Sequence, residues 1–138
     1  MLPFNDQSRS AGFTLMELMI AVVIVAILAA VAIPTYSAHV RKTERKVAIG
    51  KILEIAGRLE QYKTQTFSYP TGDDLTQFTL NEKRYDIVAE AVDAGAGYKV
   101  TATPKAGSDQ VNDQCGTLEY TNESVWDFKD DLTESDCL

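Results

Sequence analysis

An α+β fold follows from three features of this sequence. An apolar run of membrane-spanning length lies near the start, a helical spacing of apolar residues carries on beyond it, and short alternating stretches rich in β-formers fill the second half. This layout predicts one long N-terminal helix whose outer half covers one face of a small antiparallel β-sheet. The 138 residues leave room for one such core.

The apolar run extends from Phe13 to Ile33, just after Gly12 and just before Pro34. As a helix at ~1.5 Å per residue it covers about 31 Å, the thickness of a bilayer hydrocarbon core. Its single charge is Glu17. A carboxylate in such a helix costs roughly 2.5–3.5 kcal/mol on insertion scales, so it calls for a partner cation. A cut between Gly12 and Phe13 creates one, because the new α-amino group lies one helical turn from residue 17. Within one chain that amine adds positive charge at the positive end of the helix dipole, and a neighbour's Glu17 relieves it. Pro34 removes a backbone donor and invites a kink. The competing readings are an ordinary secretory signal peptide, a plain single-pass anchor, and a buried helix of a soluble domain. The acid inside the apolar region and the length of the run argue against the first. The size of the chain argues against the last.

Beyond the run, Val40, Val47, Ile52, Ile55, Leu59 and Tyr62 recur at three- and four-residue steps with Lys and Arg between them, predicting an amphipathic helix over 35–65. A cluster of turn formers, Ser68-Tyr69-Pro70-Thr71-Gly72-Asp73-Asp74, makes 66–80 a loop. Arg84–Val92 and Gly97–Thr103 read as strands joined in a hairpin across Asp93-Ala94-Gly95-Ala96, with Pro104 closing the second. A third strand from Gly116 to Thr121 and a fourth around Val125–Phe128 complete a sheet spanning 81–130.

Cys115 and Cys137 are the cysteines of the chain. An even count in an exported domain suggests a disulfide, with one intramolecular connectivity available. It would close the C-terminal region 115–138 into a loop, worth about 3 kcal/mol by chain entropy. A reactive dithiol and a metal site are the alternatives, and the C-x-x-C spacing that supports either is missing.

Gly12-Phe13-Thr14-Leu15 with Glu17, the uninterrupted apolar run and Pro34 resembles the class III signal of type IV pilins, with its prepilin-type N-terminal methylation motif. The resemblance implies a leader, residues 1–12, removed by a prepilin peptidase that methylates the new N-terminal Phe13. It implies that 13–34 is first a transmembrane and then a filament-core helix, and that Glu17 of one subunit pairs with the Phe13 amine of an adjacent one. It implies a pilin ladle for the fold, with 35–138 as the globular domain. At Ala26 the sequence departs from the helix-weakening glycine of many pilins, so melting of the helix before Pro34 is less assured. Leu59-Glu60-Gln61-Tyr62, Gly97 to Pro104 and Cys115-Gly116-Thr117-Leu118 are similar to the minor pilin subgroup related to PilE.

The function implied is a non-enzymatic subunit of a type IV pilus, a minor pilin that initiates assembly or is incorporated into the filament. The alternatives are a major pilin, a type II secretion pseudopilin, and, from another class, a pilus-associated DNA receptor. The implied partners are major and minor pilin subunits, the prepilin peptidase, an inner-membrane assembly platform and, before assembly, membrane lipid. The implied location is the inner membrane with a periplasmic C-terminal domain, then the extracellular pilus. The cations Arg41, Lys42, Arg45 and Lys46 after the apolar run argue for the opposite orientation, and the leader motif and cysteines outweigh them.

The formal net charge is −7 and unevenly spread. Seven Lys or Arg face three Glu between Tyr36 and Lys63, whereas Asp109–Leu138 holds nine acids against Lys129. The plain reading is a solvated helix face and a solubilising acidic surface. The sharper one sets the basic face of one subunit against the acidic region of the next. A DNA receptor needs an exposed basic patch, which an acidic C-terminal region does not offer, so nucleic acid is not an expected partner. Tyr120, Trp126 and Phe128 alternate as one strand face does. No catalytic residue pair, cofactor motif or metal-ligand spacing is legible. Asp109, Asp113, Asp127, Asp130 and Asp131 fit no calcium loop, and His39 among cations reads as a solvated side chain.

Overall fold

The computed structural model describes residues 12–138. The expected leader, apart from Gly12, lies outside them. The described chain falls into two compact units that meet between Tyr36 and Ser37.

The first unit is the apolar half of helix α1, which is assigned as Leu15–Thr66 and runs through Pro34. The large apolar residues from Leu15 to Ile33 are 52–79% exposed among the described residues. This is one helix long and apolar enough to cross a membrane.

The second unit begins at Ser37 and packs the rest of α1 on a five-stranded antiparallel sheet ordered β1 to β5. The strands are β1 (Leu80–Asn81), β2 (Tyr85–Val92), β3 (Gly97–Pro104), β4 (Leu118–Thr121) and β5 (Trp126–Asp127). Alternation decides the buried face: Tyr85, Ile87 and Ala89 of β2 point inward while Asp86, Val88 and Glu90 point out. Register places Ala89 opposite Val100, and Ile87 opposite Ala102. Onto that face α1 lays Ala48, Ile52, Ile55, Ala56 and Leu59, spaced at three and four residues.

Three expectations need correction. Val47 is 47% exposed, because the buried stripe runs through residues 45, 48, 52, 55 and 59 and leaves position 47 on the far side. The stretch expected as a loop over 66–80 holds a 3-10 turn, Gly72–Phe78, and the start of β1. Burial of Phe78 against the core orders it. The sheet has a fifth strand, because Leu80–Asn81 pairs with Ile87–Asp86 at its edge. A two-residue strand carries no periodicity to read.

The cysteines are joined, Cys115 to Cys137, across 22 positions, with both residues fully buried. A last helical turn, α2 (Glu134–Cys137), starts at Thr133, whose N–H and hydroxyl both donate to the Asp136 carboxylate. These bonds hold Asp136 below the usual carboxylate range.

Candidate assembly site

Gly12 and Phe13 precede α1 in non-helical, exposed backbone, and the Phe13 side chain is 83% exposed. The helix starts at Leu15, two residues after Phe13, for a reason written in Thr14-Leu15-Met16-Glu17. The Thr14 N–H and hydroxyl donate to the Glu17 carboxylate at 3.0 and 2.8 Å, and the Glu17 N–H donates back to the Thr14 hydroxyl at 3.2 Å. This is a capping box, which satisfies backbone donors that a helix start leaves free. Glu17 thus has partners before any neighbour arrives. Its carboxylate stands at the positive end of the dipole, on Thr14, the residue after Phe13. The T-x-x-E pattern before an apolar run was the signal for this contact.

In the globular unit the sequence reading missed a buried polar network. Arg45 is 3% exposed and Asp113 6% exposed. Arg45 Nη1 lies 2.7 and 2.8 Å from the two Asp113 carboxylate oxygens, and Arg45 Nε donates to the Cys137 carbonyl at 3.0 Å. One Asp113 oxygen also accepts the Cys115 N–H at 3.0 Å. The ion pair therefore grips the backbone at both ends of the disulfide. Next to it, the fully buried Gln110 donates to the Tyr85 hydroxyl and to the Arg41 carbonyl. Extending the apolar stripe of α1 backward at three-residue spacing lands on Arg45, which was the available clue.

Arg41 pairs with Asp109 at 2.7 Å, and this hydrogen bond, with one from Asn112, holds the Asp109 carboxyl below its ordinary range. Part of the basic helix face and acidic C-terminal region therefore meet inside one chain. Asp109 and Asp113, two of the five acids weighed for calcium, are taken up by arginines. Among the described residues no three His, Cys, Asp or Glu converge as metal ligands. Pro34 lies inside α1, where the following Thr35 hydroxyl donates to the Val31 carbonyl. The aromatic trio forms one cluster: Tyr120 and Trp126 are 4.7 Å apart, and Trp126 stacks on Phe128 at 5.8 Å.

A long apolar helix with a capped acidic start, followed by a helix-backed antiparallel sheet and a C-terminal disulfide, is the fold of a type IV pilin. A solved type IV pilin from Shewanella oneidensis is similar in fold, with a TM-score of 0.56 at 20% identity over 71% of this chain and 97% of that one. The family model described as the prokaryotic N-terminal methylation motif matches residues 7–33. A second, described as type IV minor pilin ComP, DNA uptake sequence receptor, matches residues 34–119, and the chain belongs to that family. Its fold and family are those of structural subunits, not enzymes. Type II secretion system core protein G of Pseudomonas aeruginosa is 41% identical over 66 residues, 48% of this chain and 46% of that protein. The Aeromonas hydrophila counterpart is 35% identical over 77 residues, 56% and 54%. The chain spans about half the length of the curated relatives it matches.

Proposed function

We propose that this chain is a structural subunit of a type IV pilus, a minor pilin that initiates assembly or is incorporated after cleavage between Gly12 and Phe13 and N-methylation of Phe13. The observation that carries the reading is the bare apolar half of α1 beginning at a capped Glu17 beside that bond. Leu, Ile and Val suit lipid and packed helices alike, so this surface serves first as an inner-membrane anchor and then as filament core. During assembly the Glu17 carboxylate accepts the Phe13 amine of an adjacent subunit, because an unpaired carboxylate there is costly. The partners are other pilin subunits, the prepilin peptidase and the inner-membrane assembly platform. The globular unit is periplasmic before assembly, where an oxidising compartment suits the Cys115–Cys137 bridge.

Mass spectrometry of the membrane form tests the processing step: a methylated Phe13 terminus is expected, and any other start overturns it. Quantifying the chain in sheared pili tests the role. Traces support a minor pilin, stoichiometric amounts a major pilin, and absence the secretion pseudopilin favoured by the core protein G relatives.

The family description favours one second reading, a pilus-associated DNA receptor. Phosphate binding needs cations free of carboxylates. Arg41, Arg45, Lys51, Arg84, Lys99, Lys105 and Lys129 each lie within 4 Å of one. Arg58 and Lys63 sit over the rings of Phe78 and Tyr69. Lys42, Lys46 and Lys83 remain as exposed lysines, few for a duplex, and the structural reading stands first. Tight, salt-sensitive gel-shifts of the purified chain would reverse that order.

A further inference from the structure

Three loops gather where α1 ends. The Tyr69 N–H donates to the Gly95 carbonyl, the Tyr98 N–H to the Asn122 side-chain carbonyl, and the Asn122 N–H to the Tyr98 carbonyl. These bonds tie the segment after Thr66 to the β2–β3 and β4–β5 turns. Of the five non-glycine residues at positive φ among the described residues, four stand on this rim: Phe67 at 66°, Asp93 at 50°, Ala94 at 54° and Ser124 at 61°. Such backbone is costly for L-residues, and strain of this kind concentrates where a surface does something.

Phe67 is the most telling of the four. Its N–H caps α1 by donating to the Lys63 carbonyl, a task glycine performs without strain. Yet the position holds an aromatic ring that is 90% exposed. The fold gains nothing from it. Val125, 53% exposed, and the exposed carboxylates Asp93 and Glu123 belong to the two turns on this rim. No Lys, Arg or His lies within 4 Å of either acid among the described residues.

A matching surface exists on the same unit. On the solvent face of α1, Val47 and Leu53, 47% and 46% exposed, bracket Gly50, and a Cβ added there meets no atom within 4 Å. Lys42 and Lys46, one turn apart and exposed, border this notch, and neither has a carboxylate within 4 Å among the described residues. Phe67 and Gly50 belong to one helix and its cap, about 25 Å apart along its axis at ~1.5 Å per residue. A single chain therefore cannot join them.

We propose that the Phe67 rim of one copy docks on the Val47–Gly50–Leu53 notch of a second copy, with Asp93 and Glu123 meeting Lys42 and Lys46. The contact uses two different patches, so it is heterologous and repeats head to tail. Phe67 fills the notch and lies against the lysine stems, where its ring face also attracts their ammonium groups. The inference rests on the filament-subunit reading and is tested apart from it.

The test uses two differently tagged full-length copies co-expressed in the membrane, one with Ala94→Cys and the other with Thr43→Cys, exposed beside the notch, joined by a short thiol cross-linker. A tag-to-tag dimer well above single-cysteine controls is expected. Gly50→Leu, which fills the notch, and Phe67→Gly, which removes the knob, each lower its yield roughly tenfold. The thermal midpoint holds or rises in both, so misfolding does not explain the loss. With the same two cysteines, Lys46→Glu lowers the yield and Asp93→Lys on the other copy restores it. Absence of the dimer, indifference to Gly50→Leu, or failure of the charge swap overturns the proposal. So does a cross-link from residue 94 to a different pilin only, or protection of that cysteine by added DNA. A methylated Phe13 terminus and recovery from sheared pili, measured on the same cells, show whether the filament reading survives such a failure.

Discussion

Replacing Arg45 by methionine keeps most of the side chain's length and removes its charge. In the folded protein this strands the Asp113 carboxylate, 6% exposed, with the Cys115 N–H as its remaining hydrogen bond, and leaves the Cys137 carbonyl without its donor. Breaking a buried ion pair from one side costs about 3–5 kcal/mol, because the other charge stays buried. A small domain has about 5–15 kcal/mol in total, so Arg45→Met should remove a large part of the stability. The double replacement Arg45→Met with Asp113→Leu removes both charges and should recover part of that loss, leaving a cost of about 1–3 kcal/mol for each of the two backbone groups left unpaired. Urea unfolding followed by Trp126 fluorescence, with the disulfide intact, measures all three variants. An Arg45→Met loss below about 1 kcal/mol, or a double variant no better than the single, would refute the claim that this pair holds the two ends of the bridge.

Three further outcomes follow from the same coordinates. Burial pushes the Tyr85 and Tyr69 hydroxyls up to about 12, with a hydrogen bond to Glu60 adding to the shift at Tyr69, and raises Tyr98 as well. The folded state thus holds protons that the unfolded chain releases near pH 10, so stability should be level below that pH and fall as pH rises through 12; in a variant whose three other tyrosines are phenylalanine, tyrosinate absorbance should rise together with loss of near-UV dichroism, and titration at pH 10 without unfolding would contradict it. Thr14→Ala and Glu17→Ala should each weaken the start of α1 by about 1 kcal/mol, and Glu17→Ala should reduce filament incorporation further than Thr14→Ala with membrane insertion intact; sheared-pilus and membrane fractions separate the two effects. Gly116→Val should destabilise by at least about 2 kcal/mol, because φ there is +56° and an added Cβ would stand 2.9 Å from Lys129 Cβ; an unchanged urea midpoint would show that the Lys129 loop yields freely.

The elements that announce themselves in the sequence are those whose periodicity is long enough to register. The apolar half of α1 and the hairpin of β2 and β3 belong to this class, since each repeats its pattern over eight residues or more. The strand β1 and the turn Gly72–Phe78 do not, because their order comes from Phe78 and Leu80 meeting a core assembled elsewhere in the chain. Val47 was misplaced because an apolar residue one position from the buried stripe looks the same as one on it. Arg45 was read as surface for the complementary reason: a cation on a helical stripe suggests solvent, and only the distant Asp113 makes burial affordable. Burial of a charge is a property of a pair, and the pair is separated by most of the globular unit's sequence.

On the proposed pairing, Glu17 carries a local and an intermolecular role on one side chain. An acid in lipid without partners would be selected against in the stored form, and one with permanent partners would have nothing left for a neighbour. The capping box resolves this, because the Thr14 N–H and hydroxyl both bind a single carboxylate oxygen, Oε2, while the other oxygen makes no hydrogen bond within the described chain. A carboxylate has about four acceptor sites, so an arriving ammonium group can be accommodated without first breaking the cap. On that proposal the intermolecular pair adds to the helix start instead of competing with it. Thr14→Val separates these alternatives: it removes the hydroxyl donor and keeps the N–H. If cap and neighbour cooperate, incorporation into filaments should fall with the weakened cap; if they compete, freeing the carboxylate should raise it, and that rise would overturn the additive arrangement.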